Sequence, residues 1–143
     1  MIRVGLVGCG KAGQAVAQVL REDARYALRW IADRGEKPSR TLAGVPVVGL
    51  DTALGDEWLG AHPVDALVDF SGPETAASYA DAVRRHGWML VSAVSAYSPA
   101  QLEGLRALGE TNRVLCSPNI TVGINFLMLA ARLLRDIAPF ADV

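Results

Sequence analysis

The chain is short of the residues that usually make a function readable. Its 143 residues include two cysteines, two histidines and two lysines. Cys9 and Cys116 cannot build a disulfide framework, and a chain this poor in thiols is expected in the cytoplasm. No group of Cys and His has the spacing of a metal site, and no G-x-S-x-G segment marks a hydrolase nucleophile. Excess charge is also missing. The 14 Lys+Arg and 15 Asp+Glu leave a formal charge of −1. Residues 1–71 carry 8 basic and 9 acidic groups and residues 72–143 carry 6 of each, so no basic platform for nucleic acid is expected. Long apolar runs are lacking as well. Ile124–Leu134 is broken by Asn125 and Arg132 and falls short of the ~20 apolar residues of a membrane span, so no membrane partner is expected. The apolar start is broken by Gly5 and Gly8, unlike a secretory h-region.

What is present is a globular composition: 51% hydrophobic and 20% charged residues. A chain of this length can bury roughly 68–70% of its unfolded surface. Short apolar runs alternate with amphipathic segments. Strands are expected at Ile2–Val7, Tyr26–Ala32, Val45–Val48, Asp65–Phe70, Trp88–Ala93 and Arg113–Cys116. Helices are expected at Lys11–Arg21, from Pro73 to Gly87, from the Ser98-Pro99-x-Gln101 capping box to Glu110, and at Val122–Ala138. Asp51–Leu59 reads as a short helix or turn, and the polar stretch Gly35–Arg40 as a loop. Strands alternating with helices predict an α/β fold: a doubly wound, mostly parallel sheet of the Rossmann type.

Gly8-Cys9-Gly10-Lys11-Ala12-Gly13 has the form G-x-G-x-x-G, directly after the first strand and opening the first helix. In that context Gly8 allows a tight turn, Gly10 lets a pyrophosphate approach the backbone, and Gly13 lets helix and strand pack closely. Phosphates would sit on the free N–H groups at the helix start, with Lys11 placed for phosphate. Asp33 ends the second strand, twenty positions after Gly13, about where an acidic residue reaches the ribose hydroxyls. Arg34 follows and could instead face a 2′-phosphate, so NADH and NADPH both stay open. Cys9 reads as a small filler residue rather than a redox switch. His62, in a loop before a strand, and His86, in the last turn of a helix, read as surface residues.

Three further segments carry a resemblance. Asp69-Phe70-Ser71-Gly72-Pro73-Glu74 is similar to the D-F-[ST]-x-P-E segment of the dihydrodipicolinate reductase family. Ser117-Pro118-Asn119-Ile120-Thr121-Val122-Gly123-Ile124-Asn125 resembles that family's A-x-N-[FM]-S-x-G-V-N. Val91–Ser98 with Gln101-Leu102 resembles V-[IV]-G-T-T-G-[FY]-[ST]-x-x-Q-L. The resemblance implies NADH- or NADPH-dependent reduction of a cyclic imine dicarboxylate, 4-hydroxy-tetrahydrodipicolinate, in diaminopimelate and lysine biosynthesis, by a cytoplasmic homotetramer. It implies that Gly8–Gly13 hold the pyrophosphate and that Asp33 and Arg34 face the adenosine ribose. Phe70 and Ser71 would lie near the nicotinamide. Ala93, Val94 and Ser95 would touch cofactor, and Ser95 also substrate. Ser117, Pro118, Asn119 and Ile120 would wall the nicotinamide.

Two departures stand out. The family's G-T-T-G is Ala93-Val94-Ser95-Ala96 here, which opens the alternative of a different imine or keto-acid substrate. The family's H-H-x-x-K and S-G-T segments lie beyond the equivalent of Val143. The expected organisation is a dinucleotide-binding domain at 1–123, then a hinge helix and the start of a substrate and oligomerisation domain at 124–143, with no catalytic residue in this chain. The last helix is apolar most of the way round: Ile124, Leu127, Met128, Ala131 and Leu134 on one side, Phe126, Leu129, Ala130 and Leu133 on others. It reads either as an ordinary core helix or as a second contact surface. A stand-alone nucleotide-binding or redox-sensing module is the remaining alternative.

Overall fold

The computed structural model describes residues 1–34, 40–42, 44–118 and 122–138. Among them, the chain runs β1 (Ile2–Val7), α1 (Lys11–Glu22), β2 (Tyr26–Asp33), β3 (Arg40–Leu42), β4 (Val45–Gly49), α2 (Leu50–Ala53) and α3 (Asp56–Ala61). It continues with β5 (Ala66–Asp69), α4 (Ala76–His86), β6 (Met89–Ser92), α5 (Pro99–Gly109), β7 (Val114–Cys116) and α6 (Val122–Ile137). The strands form one sheet in the order β3-β4-β2-β1-β5-β6-β7. All neighbours are parallel except β3, which runs antiparallel to β4. This is the expected doubly wound α/β sheet, with one addition. Arg40, assigned to a loop from its sequence, opens β3, an edge strand of three residues. So short a strand carries no alternation to read; its pairing with Val45–Val47 makes it. Residues 35–39 of that expected loop lie outside the described residues.

Each face of the sheet has its own core. Leu6, Ile31, Val45 and Val47 pack with Ala17 of α1 on one face. On the other, Trp30, Leu67 and Leu90 pack with Leu50 of α2, Leu59 of α3, Tyr79 and Val83 of α4, and Leu105 and Leu108 of α5. Burying a side chain such as Leu67 contributes about 1.5–3 kcal/mol. Trp30 is fully buried, and its Nε1 donates to the His62 carbonyl at 3.1 Å. Its ring crosses β1 at Gly5, where a Cβ would meet it at 2.4 Å. The register slips at the same point: Val4 faces Leu28 and Gly5 faces Trp30, so Arg29 is passed over.

The helix ends follow local chemistry. A 3-10 turn at Pro73–Thr75 leads into α4, which Gly87 closes in the left-handed region at φ 65°. The Ser98–Gln101 capping box is complete, and Gln101 Nε2 also donates to the Pro73 carbonyl at 2.8 Å, tying the two helix starts together. The segment read as one short helix or turn, Asp51–Leu59, is two helices. Gly55, in an extended conformation, starts α3 afresh.

α6 departs from the ordinary-core reading. Its described side chains, Ile124 to Ile137, are exposed, Phe126 by 68% and Leu133 by 61%. No helix among the described residues is long and apolar enough to cross a membrane. Residues 139–143 lie outside the described part.

Candidate functional site

The C-terminal ends of the parallel strands line up: Ala32, Val7, Asp69, Ser92 and Cys116 are successive register partners across β2, β1, β5, β6 and β7. The chain reverses direction of travel across the sheet between β1 and β5. Open α/β sheets bind ligands at this kind of crevice. A cleft of about 160 Å³ lies there, lined by Val7, Gly8, Cys9, Gly10, Asp33, Arg34, Leu50, Phe70 and Ser71.

The glycines are there for space. Gly8 has φ +103°, and a Cβ on it would come within 2.6 Å of the Phe70 backbone. A Cβ on Gly13 would lie 2.0 Å from the Gly8 carbonyl oxygen, so this glycine seats α1 against the loop. Gly10 differs: nothing lies within 4 Å of its Cβ position. Its missing side chain leaves the cleft open toward the start of α1. No side chain caps that start, and no acidic residue sits in its first turn. Lys11, Ala12 and Gly13 form that turn, whose N–H groups have no partner inside the helix. These features fit a dinucleotide pyrophosphate.

Beyond the cleft, a buried carboxylate organises the ends of β5 and β6. Asp69 is fully buried. Its Oδ1 accepts from the Ser71 N–H at 2.8 Å and the Ser71 hydroxyl at 2.5 Å. Its Oδ2 accepts from the Tyr79 hydroxyl at 2.6 Å and the Tyr97 hydroxyl at 3.4 Å. The Tyr97 hydroxyl also lies 2.8 Å from Ser92 Oγ. Burial, with the Asp69 charge beside it, pushes the Tyr79 hydroxyl far above its ordinary value, so it holds its proton and donates. Burial raises Tyr97 too, and burial followed by the Asp69 charge raises the Cys116 thiol, keeping it from acting as a thiolate. The Asp69–Ser71 contact is a local Asx turn, legible in the order Asp-Phe-Ser. The contacts to Tyr79 and Tyr97 come from helix and loop packing and had no signal in the sequence.

Seven of the residues singled out by sequence share the cleft: Gly8, Cys9, Gly10, Asp33, Arg34, Phe70 and Ser71. Ala93 follows β6, its N–H bonded to the Asp69 carbonyl at 2.9 Å. Val94 is buried and Ser95 exposed. Ser117 follows β7, its N–H bonded to the Ser92 carbonyl at 2.9 Å. Pro118 lines a different hollow, with Leu102, Leu105, Val114 and Cys116. Asn119 and Ile120 lie outside the described residues. His62 stacks on Trp58 at 3.9 Å and precedes β5, at the end of the sheet away from the cleft; His86 stacks on Trp88 at 5.0 Å.

Residues 2–120 match the family described as dihydrodipicolinate reductase, N-terminus. The chain belongs to this family. It is 34% identical to the 4-hydroxy-tetrahydrodipicolinate reductase of Methylococcus capsulatus, over all of this chain and 55% of that protein. It is 30% identical to that of Laribacter hongkongensis, over 94% of this chain and 54% of that protein. The chain thus spans about half the length of the curated relatives it matches. Among solved structures, the dipicolinate-bound dihydrodipicolinate reductase of Paenisporosarcina sp. TG-14 superposes with a TM-score of 0.73 at 20% identity, over 94% of this chain and 54% of that one. RSP, a Rex-family repressor, superposes in its complex with NADH at 0.67 and 16% identity, over 95% of this chain and 61% of that one. At those identities the two structures report the fold. Within a dihydrodipicolinate reductase N-terminus, Phe70 and Ser71 of the cleft and Asp69, Ser71, Ser92 and Tyr97 of the buried cluster fall on the segments whose motifs carry the family likeness, and Tyr79 does not.

Proposed function

We propose that this chain is the cofactor-binding half of an NAD(P)H-dependent reductase that converts 4-hydroxy-tetrahydrodipicolinate to tetrahydrodipicolinate. The reading rests on one observation: an uncapped helix start behind Gly10 and the Asp33–Arg34 pair open onto a single cleft at the strand ends, in a chain of this family. A nicotinamide dinucleotide supplies the hydride when bound. The N–H groups of Lys11, Ala12 and Gly13 bind its pyrophosphate, with Gly10 giving clearance. Asp33 accepts from a ribose hydroxyl. Phe70 and Ser71 border the nicotinamide end, and Ala93, Val94, Ser95, Ser117, Pro118, Asn119 and Ile120 complete that border. Ser95 donates to substrate. The proton donor and the groups that grip the substrate carboxylates belong to a substrate domain, for which residues 124–143 form the hinge and first segment and residues 1–123 the cofactor domain. A homotetramer in the cytoplasm is the assembly that goes with this reading.

The Ala93-Val94-Ser95-Ala96 segment bears on substrate identity. Val94 is buried while Ser95 is exposed, so the hydroxyl this segment keeps is at the position open to a ligand. That supports the family's own substrate over another imine or keto acid. Titration calorimetry with NADH and NADPH tests the cofactor reading, with binding of at least one expected. Turnover of hydroxy-tetrahydrodipicolinate by the complete protein tests the substrate, and its absence would point to the alternative.

A further inference from the structure

Arg34 does not stand alone at the edge of the cleft. Its backbone N–H is held by Asp33 Oδ1 at 2.9 Å, and its guanidinium Nη1 donates to Glu74 Oε1. Glu74 comes from the opposite side, in the turn after β5, so the pair joins the β2 end to the β5 end across the cleft mouth. Gly72 makes this arrangement possible. A Cβ there would lie 2.8 and 2.9 Å from the two Glu74 carboxylate oxygens. The carboxylate is folded back over the Gly72 backbone, in space that a side chain at 72 would take.

On the dinucleotide reading above, which this inference presupposes, we propose that Glu74 is a cofactor-selecting residue. By holding the Arg34 guanidinium, it competes with a 2′-phosphate and biases the cleft toward NADH. A 2′-phosphate would seek the Arg34 fork. To reach it, the phosphate must displace Glu74 and then lie close to the Glu74 carboxylate that gave up the guanidinium. Like charges set together are the means by which a site rejects a ligand. A ribose 2′-hydroxyl carries no charge, so it meets no such repulsion and donates a hydrogen bond to Asp33.

Calorimetric dissociation constants for NADH and NADPH, compared as a ratio, test this. Glu74→Gln should shift the ratio toward NADPH by roughly three- to tenfold, the scale of one exposed charge contact plus one removed repulsion. Gly72→Ala should act in the same direction by displacing the carboxylate. In an Arg34→Gln background, Glu74→Gln should move the ratio by clearly less than in the parent, because the guanidinium it holds is gone and only the repulsion is left to remove. An unmoved ratio in Glu74→Gln, or an equal shift without Arg34, overturns the selector role while leaving the cofactor reading intact. If the parent protein binds neither dinucleotide, the cofactor reading falls and the selector role with it.

Discussion

Gly10 and Gly13 stand three residues apart in one loop, yet their missing side chains do different jobs. Gly13 is needed by the fold, because its Cβ position collides with the Gly8 carbonyl at 2.0 Å. Gly10 is needed by whatever enters the cleft, because its Cβ position is open. Gly13→Ala should therefore destabilise the protein by about 1–3 kcal/mol, the range for forced overpacking. Gly10→Val should keep the thermal midpoint near that of the parent, apart from a small β-branched cost, while dinucleotide binding disappears. Calorimetric melting beside titration separates the two. The Asp69 cluster offers a second residue-level test. Tyr79→Phe removes a 2.6 Å donor from a fully buried carboxylate and should cost about 1.5–3 kcal/mol in urea unfolding. Tyr97→Phe should cost less, because its contact with Asp69 is 3.4 Å and the ring is only half-buried.

At the scale of elements, the polar clasps are few and specific. Asp65, just before β5, accepts from the backbone N–H and the Nε of Arg3 on β1, at 2.9 and 3.0 Å. The side-chain bond to Arg3 leads the causes that hold its carboxyl down to about 2, from an ordinary 3.8. The folded state thus binds this proton more weakly than the unfolded chain. The contribution is complete above the ordinary value and is lost as pH falls through about 2. Asp65→Asn should lack it at neutral pH and show a flatter fall in denaturant midpoint between about pH 4 and pH 2. Both groups are solvent-facing, so the effect should shrink in high salt. The helix ends were legible because they are local: Pro73, Gly87 and the Ser98–Gln101 box each act on their own turn. The split of α2 from α3 at Gly55 and the edge strand β3 were not, because neighbouring elements decide both.

For the molecule as a whole, the contrast lies between a sheet with a core on each face and a last helix with an uncovered apolar surface. Leu127 and Leu133 of α6 are exposed by about 61% each, and Leu115 on β7 by 59%. Changing Leu127 and Leu133 together to Gln should alter the unfolding free energy of the sheet by less than about 0.5 kcal/mol, as for surface positions. A loss above about 2 kcal/mol, the scale of a core leucine, would mean that the helix packs on the sheet in solution. The same substitution should lower the binding of a hydrophobic dye, since it removes exposed apolar area.

The sequence by itself determined the layered α/β plan, the glycine loop at the start of α1, the acidic end of β2 and the family likeness. Those features are short in range: a strand's alternation, a cap, a motif of six residues. Only the tertiary structure decided which side chains meet. Asp69 and Tyr79 are ten positions apart, Arg34 and Glu74 forty, and the sheet and its crossovers join them. It also decided that the apolar surface of α6 stays uncovered. Hydrophobic periodicity tells which residues favour burial, but the neighbour that buries them is set by packing over the whole chain.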